Sequence, residues 1–206
     1  MIKHNNIVPK MKILALLARE HGLAVLEELI KEKPRSLTIF THQYEPKTHE
    51  LRNEFIDYSR ISHDKQIPLH TIDNVKEKGK LEIWASHHNY DLLVACSWHY
   101  HISPTVFNKA ELAVNIHRGK LPEYAGAEPI KRAILDEKKS ITITAHKIID
   151  KIDGGKVLYE EHYPLRLLYT SIKDNYITRI DQDVAIIKKE ITPLFTKITR
   201  RILDEV

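Results

Sequence analysis

The amino-acid sequence predicts an α/β fold: a Rossmann-like, mostly parallel sheet flanked by helices, with a short C-terminal helical tail. Three observations carry that reading. Through the first half of the chain, short β-type runs alternate with helical patterns, the signature of βαβ units. One of those runs, residues 11–18, is almost continuously apolar, as expected of a strand buried on both faces. Beyond residue 130 the pattern changes to strands joined by a glycine turn, and then to an amphipathic tail.

The elements follow in order. Residues 11–18 form the first strand, and residues 21–32 a helix with Leu23, Val25, Leu26, Leu29 and Ile30 apolar, ended by Pro34. Residues 36–41 are a second strand, 50–61 a helix, 67–71 a short third strand and 75–86 a weakly patterned helix. Residues 90–96 and 112–116 are the fourth and fifth strands, and right-handed crossovers are the default between such units. A helix over 130–136 precedes an alternating strand at 140–146 and another at 156–161, joined around Asp153-Gly154-Gly155. In the tail, residues 183–203, Ile187, Ile191, Leu194, Ile198 and Ile202 share a helical face, and Pro193 either kinks the helix or opens a second one. That apolar face is expected to pack on its own domain or to mediate a homodimer, the dimer being favoured. The chain reads as one domain over 1–206, with a core at about 11–165 and an extension at 166–206.

Composition narrows the function classes. With 42% hydrophobic and 29% charged residues the chain has material for a core, which excludes a disordered protein. No run approaches the roughly 18 apolar residues of a membrane span, and residues 1–12 lack the apolar segment of a signal peptide. A lone cysteine, Cys96, permits no internal disulfide and fits a reducing compartment, so a cytoplasmic location is expected. The net charge of +4 tolerates an anionic ligand, but Lys and Arg are scattered and sit beside Glu or Asp, as in Lys31-Glu32-Lys33. Nucleic acid is not the expected partner.

Ligands of an open parallel sheet gather at the carboxyl ends of its strands. The fifth strand ends in Asn115-Ile116-His117, and alternation puts Asn115 and His117 on one face. An amide beside an imidazole can bind a developing oxyanion and move a proton. On spacing alone, a strand that merely ends in polar residues is the simpler account.

The flanking residues alter that balance. Asn115-Ile116-His117, then Leu121-Pro122, then Tyr124-Ala125-Gly126 resembles the Asn-x-His…Leu-Pro…Tyr/Arg-x-Gly signature of folate-dependent formyltransferases. Ile152-Asp153-Gly154-Gly155 resembles that family's Asp-bearing loop, and residues 91–104 are similar to its pterin-holding strand and loop. The resemblance covers about residues 11–165, with these three motifs in order. The resemblance implies the formyltransferase fold, 10-formyltetrahydrofolate as donor and a primary amine as acceptor, with neither a metal nor a covalent enzyme intermediate. It implies Asn115, His117 and Asp153 as the catalytic set. Trp98, His99, Tyr100, His101, Ile102, Ile152 and Gly154 would hold the folate, and Lys120, Tyr124 and Gly126 the acceptor. In the physical reading, Asn115 and a protonated His117 donate to the oxyanion, while Asp153 raises the His117 pKa. The chain departs from the family at Gly119 and Lys120, where Ser and Leu are usual, which leaves the acceptor side open: Lys120 is either solvated or meets an anionic substrate.

Features of the acceptor side favour a small, nucleotide-linked amino sugar. Ser97-Trp98-His99-Tyr100-His101-Ile102 looks most like enzymes that formylate such sugars. Enzymes acting on glycinamide ribonucleotide carry a Gly/Ser-rich turn after the first strand, whereas Leu17-Ala18-Arg19-Glu20-His21-Gly22 has a single glycine. Residues 126–134 look like enzymes that formylate methionyl-tRNA, but those add a C-terminal domain larger than the remainder expected here. Hydrolysis of formyltetrahydrofolate and a non-catalytic folate-binding module are the alternatives. Among the 13 histidines, His87, His88, His99 and His101 cluster, yet a zinc site needs three or four converging ligands, and none is expected. His42, His49, His63 and His70 are expected at the surface.

Overall fold

The computed structural model describes residues 11–46, 48–165 and 176–206. Most of the basic N-terminal stretch, and residues 166–175 of the extension, lie outside the described residues. Seven strands form one sheet: β1 (Lys12–Leu17), β2 (Ser36–Thr41), β3 (Leu69–Thr71), β4 (Tyr90–Cys96), β5 (Ala110–His117), β6 (Ser140–Lys147) and β7 (Val157–Pro164), in the order β3-β2-β1-β4-β5-β6-β7. The first five pair in parallel; β6 runs antiparallel to β5, and β7 antiparallel to β6. The expected mostly parallel, helix-flanked sheet is therefore observed.

The apolar run of β1 explains its central place. Ile13, Ala15 and Leu17 face one side of the sheet and Leu14 and Leu16 the other, all fully buried. On the first side they meet α1 (Arg19–Lys31) and the C-terminal helices. On the second they meet Phe40, Val106 and the apolar residues Leu81 and Ala85 of α3 (Lys78–Ser86). Helix α2 (Asn53–Lys65) begins later than its pattern suggests, and the weak pattern at 75–86 resolves into a 3₁₀ turn at Val75–Glu77 followed by α3. A one-turn helix α4 (Pro104–Phe107) leads into β5, and α5 (Pro129–Leu135) into β6.

The tail divides into α6 (Tyr176–Glu190) and α7 (Thr192–Leu203), with Pro193 in the first turn of α7, where its missing N–H costs nothing. Phe195, Ile198 and Ile202 are buried against α1 and the sheet, and Phe195 stacks on His21 at 4.2 Å. Arg200 Nε donates to Glu28 of α1 at 2.8 Å, while Lys197 and Arg201 clasp Glu161 of β7 at 2.7 and 3.1 Å. The face expected to favour a dimer is thus covered within the chain. Among the described residues no helix is long and apolar enough to cross a membrane.

Candidate active site

The carboxyl ends of β1, β4 and β5 open into a cleft of about 1030 Å³, closed on its far side by α6. Asn115 and His117 reach it from β5. Two further elements bring the remaining groups. Antiparallel pairing sets His146 of β6 opposite Asn115. The loop after β6 carries Asp153 with φ of 50°. That loop folds back so closely that a Cβ on Gly155 would lie 1.8 Å from the Lys147 carbonyl oxygen, so only glycine permits the approach.

Asp153 stands at the centre. Its Oδ2 accepts from the Gly126 amide at 2.8 Å and lies 3.5 Å from His117 Nδ1; its Oδ1 lies 3.3 Å from both Asn115 Nδ2 and His146 Nε2. The carbonyl partners determine the ring tautomers, because a carbonyl only accepts. His117 Nε2–H donates to the Tyr124 carbonyl at 2.8 Å, which leaves Nδ1 with a lone pair when the ring is neutral. His146 Nδ1–H donates to the Lys147 carbonyl at 3.0 Å, so the neutral ring accepts from Asn115 Nδ2 at 3.1 Å. The two Asn115 hydrogens then serve His146 and Asp153.

Burial lowers the His117 pKa, and the opposing pull of Asp153 does not restore it. The raising effect expected of Asp153 is present, but removing the ring from water outweighs one carboxylate and the net shift is downward. Burial alone would raise the Asp153 pKa, but the His146 ring, the His117 charge and the Gly126 amide together hold it below the ordinary value. A neutral imidazole and a carboxylate side by side can take and return one proton.

His146 has no place in the motif reading, which assigned it only to an alternating strand. Its signal is that alternation: Thr142, Thr144 and His146 form the polar face of β6, while Ile141, Ile143 and Ala145 form the apolar one.

The loop Trp98–Ile102 and the exposed Ile152 line the other end of the cleft, and Gly154 sits in the turn below without lining it. The loop is pinned by His42, whose Nδ1–H donates to the Ile72 carbonyl at 2.6 Å and whose Nε2 accepts from the His99 amide at 3.2 Å. Trp98 stacks on His42 with ring centroids 4.3 Å apart. His42 is 3% exposed, and burial pushes its pKa down to about 4. His70 packs between Phe40 and Trp84. The surface placement expected for His42 is corrected, because aromatic stacking buries it; His70 is half-buried, and His49 and His63 are exposed. His101 Nε2 meets the Asp150 carbonyl at 3.0 Å, and among the described residues no group of three or more His, Cys, Asp or Glu is arranged to hold a metal.

Of the residues assigned to the acceptor, Gly126 lines the cleft. Lys120 and Tyr124 instead line a separate crevice of about 130 Å³, and the Tyr124 hydroxyl donates to Asp136 at 2.9 Å. Gly119 has a steric reason: a Cβ there would lie 2.6 Å from Pro129 Cβ and 3.0 Å from His117 Nε2.

Residues 4–182 match the family model described as formyl transferase. The chain belongs to the formyl transferase family. Among the chain's relatives, a methionyl-tRNA formyltransferase from Coprothermobacter proteolyticus is 28% identical over 152 residues, 73% of this chain and 49% of that protein. The chain spans about half the length of such curated relatives. In fold it is similar to a phosphoribosylglycinamide formyltransferase from Bacillus halodurans, with a TM-score of 0.65, 19% identity and coverage of 93% of this chain and 95% of that one. It is also similar to a sugar 3N-formyl transferase solved with dTDP and 5-N-formyl-THF, with a TM-score of 0.58, 18% identity and coverage of 91% and 64%.

Proposed function

We propose that this formyl transferase moves a formyl group from 10-formyltetrahydrofolate to the primary amine of a small acceptor, a nucleotide-linked amino sugar, and that 1–206 acts as one catalytic domain in the cytoplasm. The observation that carries the reading is the convergence of Asn115, His117 and Asp153 on one point at the carboxyl end of β5. The remainder of the cleft fits the donor. Trp98 Nε1 lines it, buried and without a hydrogen-bond partner, and can donate to an acceptor on a flat ring. Tyr100 and Ile102 supply apolar surface, Ile152 stands opposite, and the His99 and His101 backbone and the Gly154 turn set the shape.

The chain's own groups supply the proton path. As the acceptor nitrogen bonds to the formyl carbon, neutral His117 Nδ1 takes a proton from that nitrogen. The imidazolium then faces the Asp153 carboxylate and donates toward the new oxyanion. Asn115 exchanges one of its two inward hydrogen bonds for the same oxygen. When the bond between the formyl carbon and the folate nitrogen breaks, His117 returns the proton to that nitrogen, and tetrahydrofolate leaves. His146 Nε2 accepts from the Asn115 amide and so fixes its orientation, and Asn115 in turn donates to the Asp153 carboxylate. The sugar acceptor rests on the Ser97–Ile102 resemblance and on the absence of a glycine-rich turn after β1.

Two measurements test this reading. Folinic acid should raise the melting temperature by mass action, and one of a panel of amines, including nucleotide-linked amino sugars, glycinamide ribonucleotide and methionyl-tRNA, should release tetrahydrofolate from the donor. No binding of folinic acid at millimolar concentration would remove the folate reading. Release only with methionyl-tRNA would replace the sugar.

A further inference from the structure

The α6 wall of the cleft holds positive charge that no ion pair among the described residues neutralises, Glu20 and Glu128 acting on it only at longer range. Arg118, directly after the catalytic strand, lines the cleft, and its Nη1 is buried without a hydrogen-bond partner among the described residues. Lys188 of α6 lines the same wall. His21 brings it there, since its Nε2–H donates to the Lys188 carbonyl at 2.8 Å and pins α6 over the start of α1. Of the other cations that line the cleft, Arg19 pairs with Glu45 at 3.1 Å and Lys131 with Asp181 at 2.8 Å, while Lys151 and Lys189 are exposed to solvent. Glu20 also lines this wall, but its contact is with His21 at 3.8 Å, and no ion pair joins it to Arg118 or Lys188 among the described residues. Burial lowers the pKa of both cations, and the charges of Arg118 and Arg19 lower that of Lys188 further. A buried guanidinium donor with no acceptor is costly to keep unless a ligand completes it.

We propose that Arg118 and Lys188 form an anion-recognition subsite that seats an oxyanion, phosphate or carboxylate, carried by the acceptor amine. The subsite rests on the formyl-transfer reading and assigns the residues that would hold the acceptor's anion. A guanidinium offers the planar, two-pronged donor set that such groups prefer, and an ammonium adds a mobile charge. The same cleft carries the Trp98–Ile102 loop, His117 and Asp153, so an acceptor held by its anion at Arg118 and Lys188 shares the space with the catalytic groups.

The test is thermal unfolding of the full chain in inorganic phosphate and in acetate, each against chloride at equal ionic strength. Phosphate, acetate or both should stabilise the protein above chloride, and the stronger of the two identifies the oxyanion. In Arg118→Gln the apparent affinity for that anion should fall at least about tenfold. Lys188→Gln should weaken it in the same direction, and it carries the test if Arg118→Gln does not fold. No stabilisation above chloride, or equal stabilisation of wild type and both variants, overturns the subsite. Folinic acid titrated into the same samples keeps the two ideas apart. Folinic acid binding without an anion effect fails the subsite alone, whereas an anion effect without folinic acid binding fails the formyl-transfer reading and leaves the subsite standing.

Discussion

The two ends of the cleft differ in how their polar atoms are used. At the centre, Asp153 is met by Gly126, Asn115, His146 and His117, and each imidazole has its tautomer set by a backbone carbonyl. On the α6 wall, Arg118 Nη1 is buried without a hydrogen-bond partner and Lys188 makes no ion pair among the described residues. The first arrangement is preorganised: its groups stand in place before any substrate arrives, so no reorganisation is needed when charge develops. The second is incomplete, and incompleteness inside a cleft marks a place for a ligand. On the proposed reading, chemistry is built at the central network and selection of the acceptor at the α6 wall.

The sharpest way to break this comparison is to remove the centre. His117→Ala should lower the rate of formyl transfer at least about a hundredfold with folate affinity nearly unchanged, because the loss belongs to the transition state. Asn115→Ala should do similarly, and the double variant should lose little beyond either single one, since residues that act as a unit are strongly non-additive. Arg118→Gln should instead add its loss to that of His117→Ala, as expected of separate groups. Steady-state kinetics on the single and double variants measure both. Near-wild-type turnover in His117→Ala would make the central network structural.

The same division governs what is legible in the sequence. β1 and β4 are readable because a strand buried on both faces is almost continuously apolar, and β2 because its run is β-branched and aromatic; these patterns need no partner to be recognised. Asn115, His117 and Asp153 are legible because a strand end and a glycine turn bracket them. His146 is not, because its role depends on the antiparallel register of β6 against β5, which no local pattern specifies. His42 also escapes: it follows β2 in a polar stretch, and only the stacking of Trp98 from a segment more than fifty residues away buries it. The acceptor wall is least legible, since Arg118 and Lys188 lie far apart in sequence and meet only when α6 docks on α1 through His21.

A smaller effect compares the supports of the two walls, His42 under the folate loop and His21 under α6. Burial pushes both rings down to about 4 from an ordinary 6.5. The unfolded chain therefore binds these protons more readily than the folded one. Stability should be complete above about pH 6.5 and decline as the pH falls toward about 4, by roughly 2–3 kcal/mol for each ring across that window. Denaturant unfolding at several pH values should reveal the slope, and His42→Gln should remove about half of it. A flat profile in the wild type would mean that these rings are not held neutral.

The smallest effect tests whether Asp153 acts through His117. In the free enzyme the working form of His117 is the neutral one, so kcat/KM should fall as the pH drops below the ring's pKa. Burial lowers that pKa, and the Asp153 charge, 3.5 Å from Nδ1, opposes the lowering. Asp153→Asn keeps the size of the side chain and removes the charge, so His117 should become still harder to protonate. The acid limb of the profile should then move to lower pH by about one unit, even as the maximal rate declines with the loss of the partner for the imidazolium. The limb itself should vanish in His117→Ala, which identifies the titrating group. A limb that stays in place in Asp153→Asn, or moves to higher pH, would mean that Asp153 only braces the loop, with the Gly126 amide as its real partner and His117 titrating independently of it.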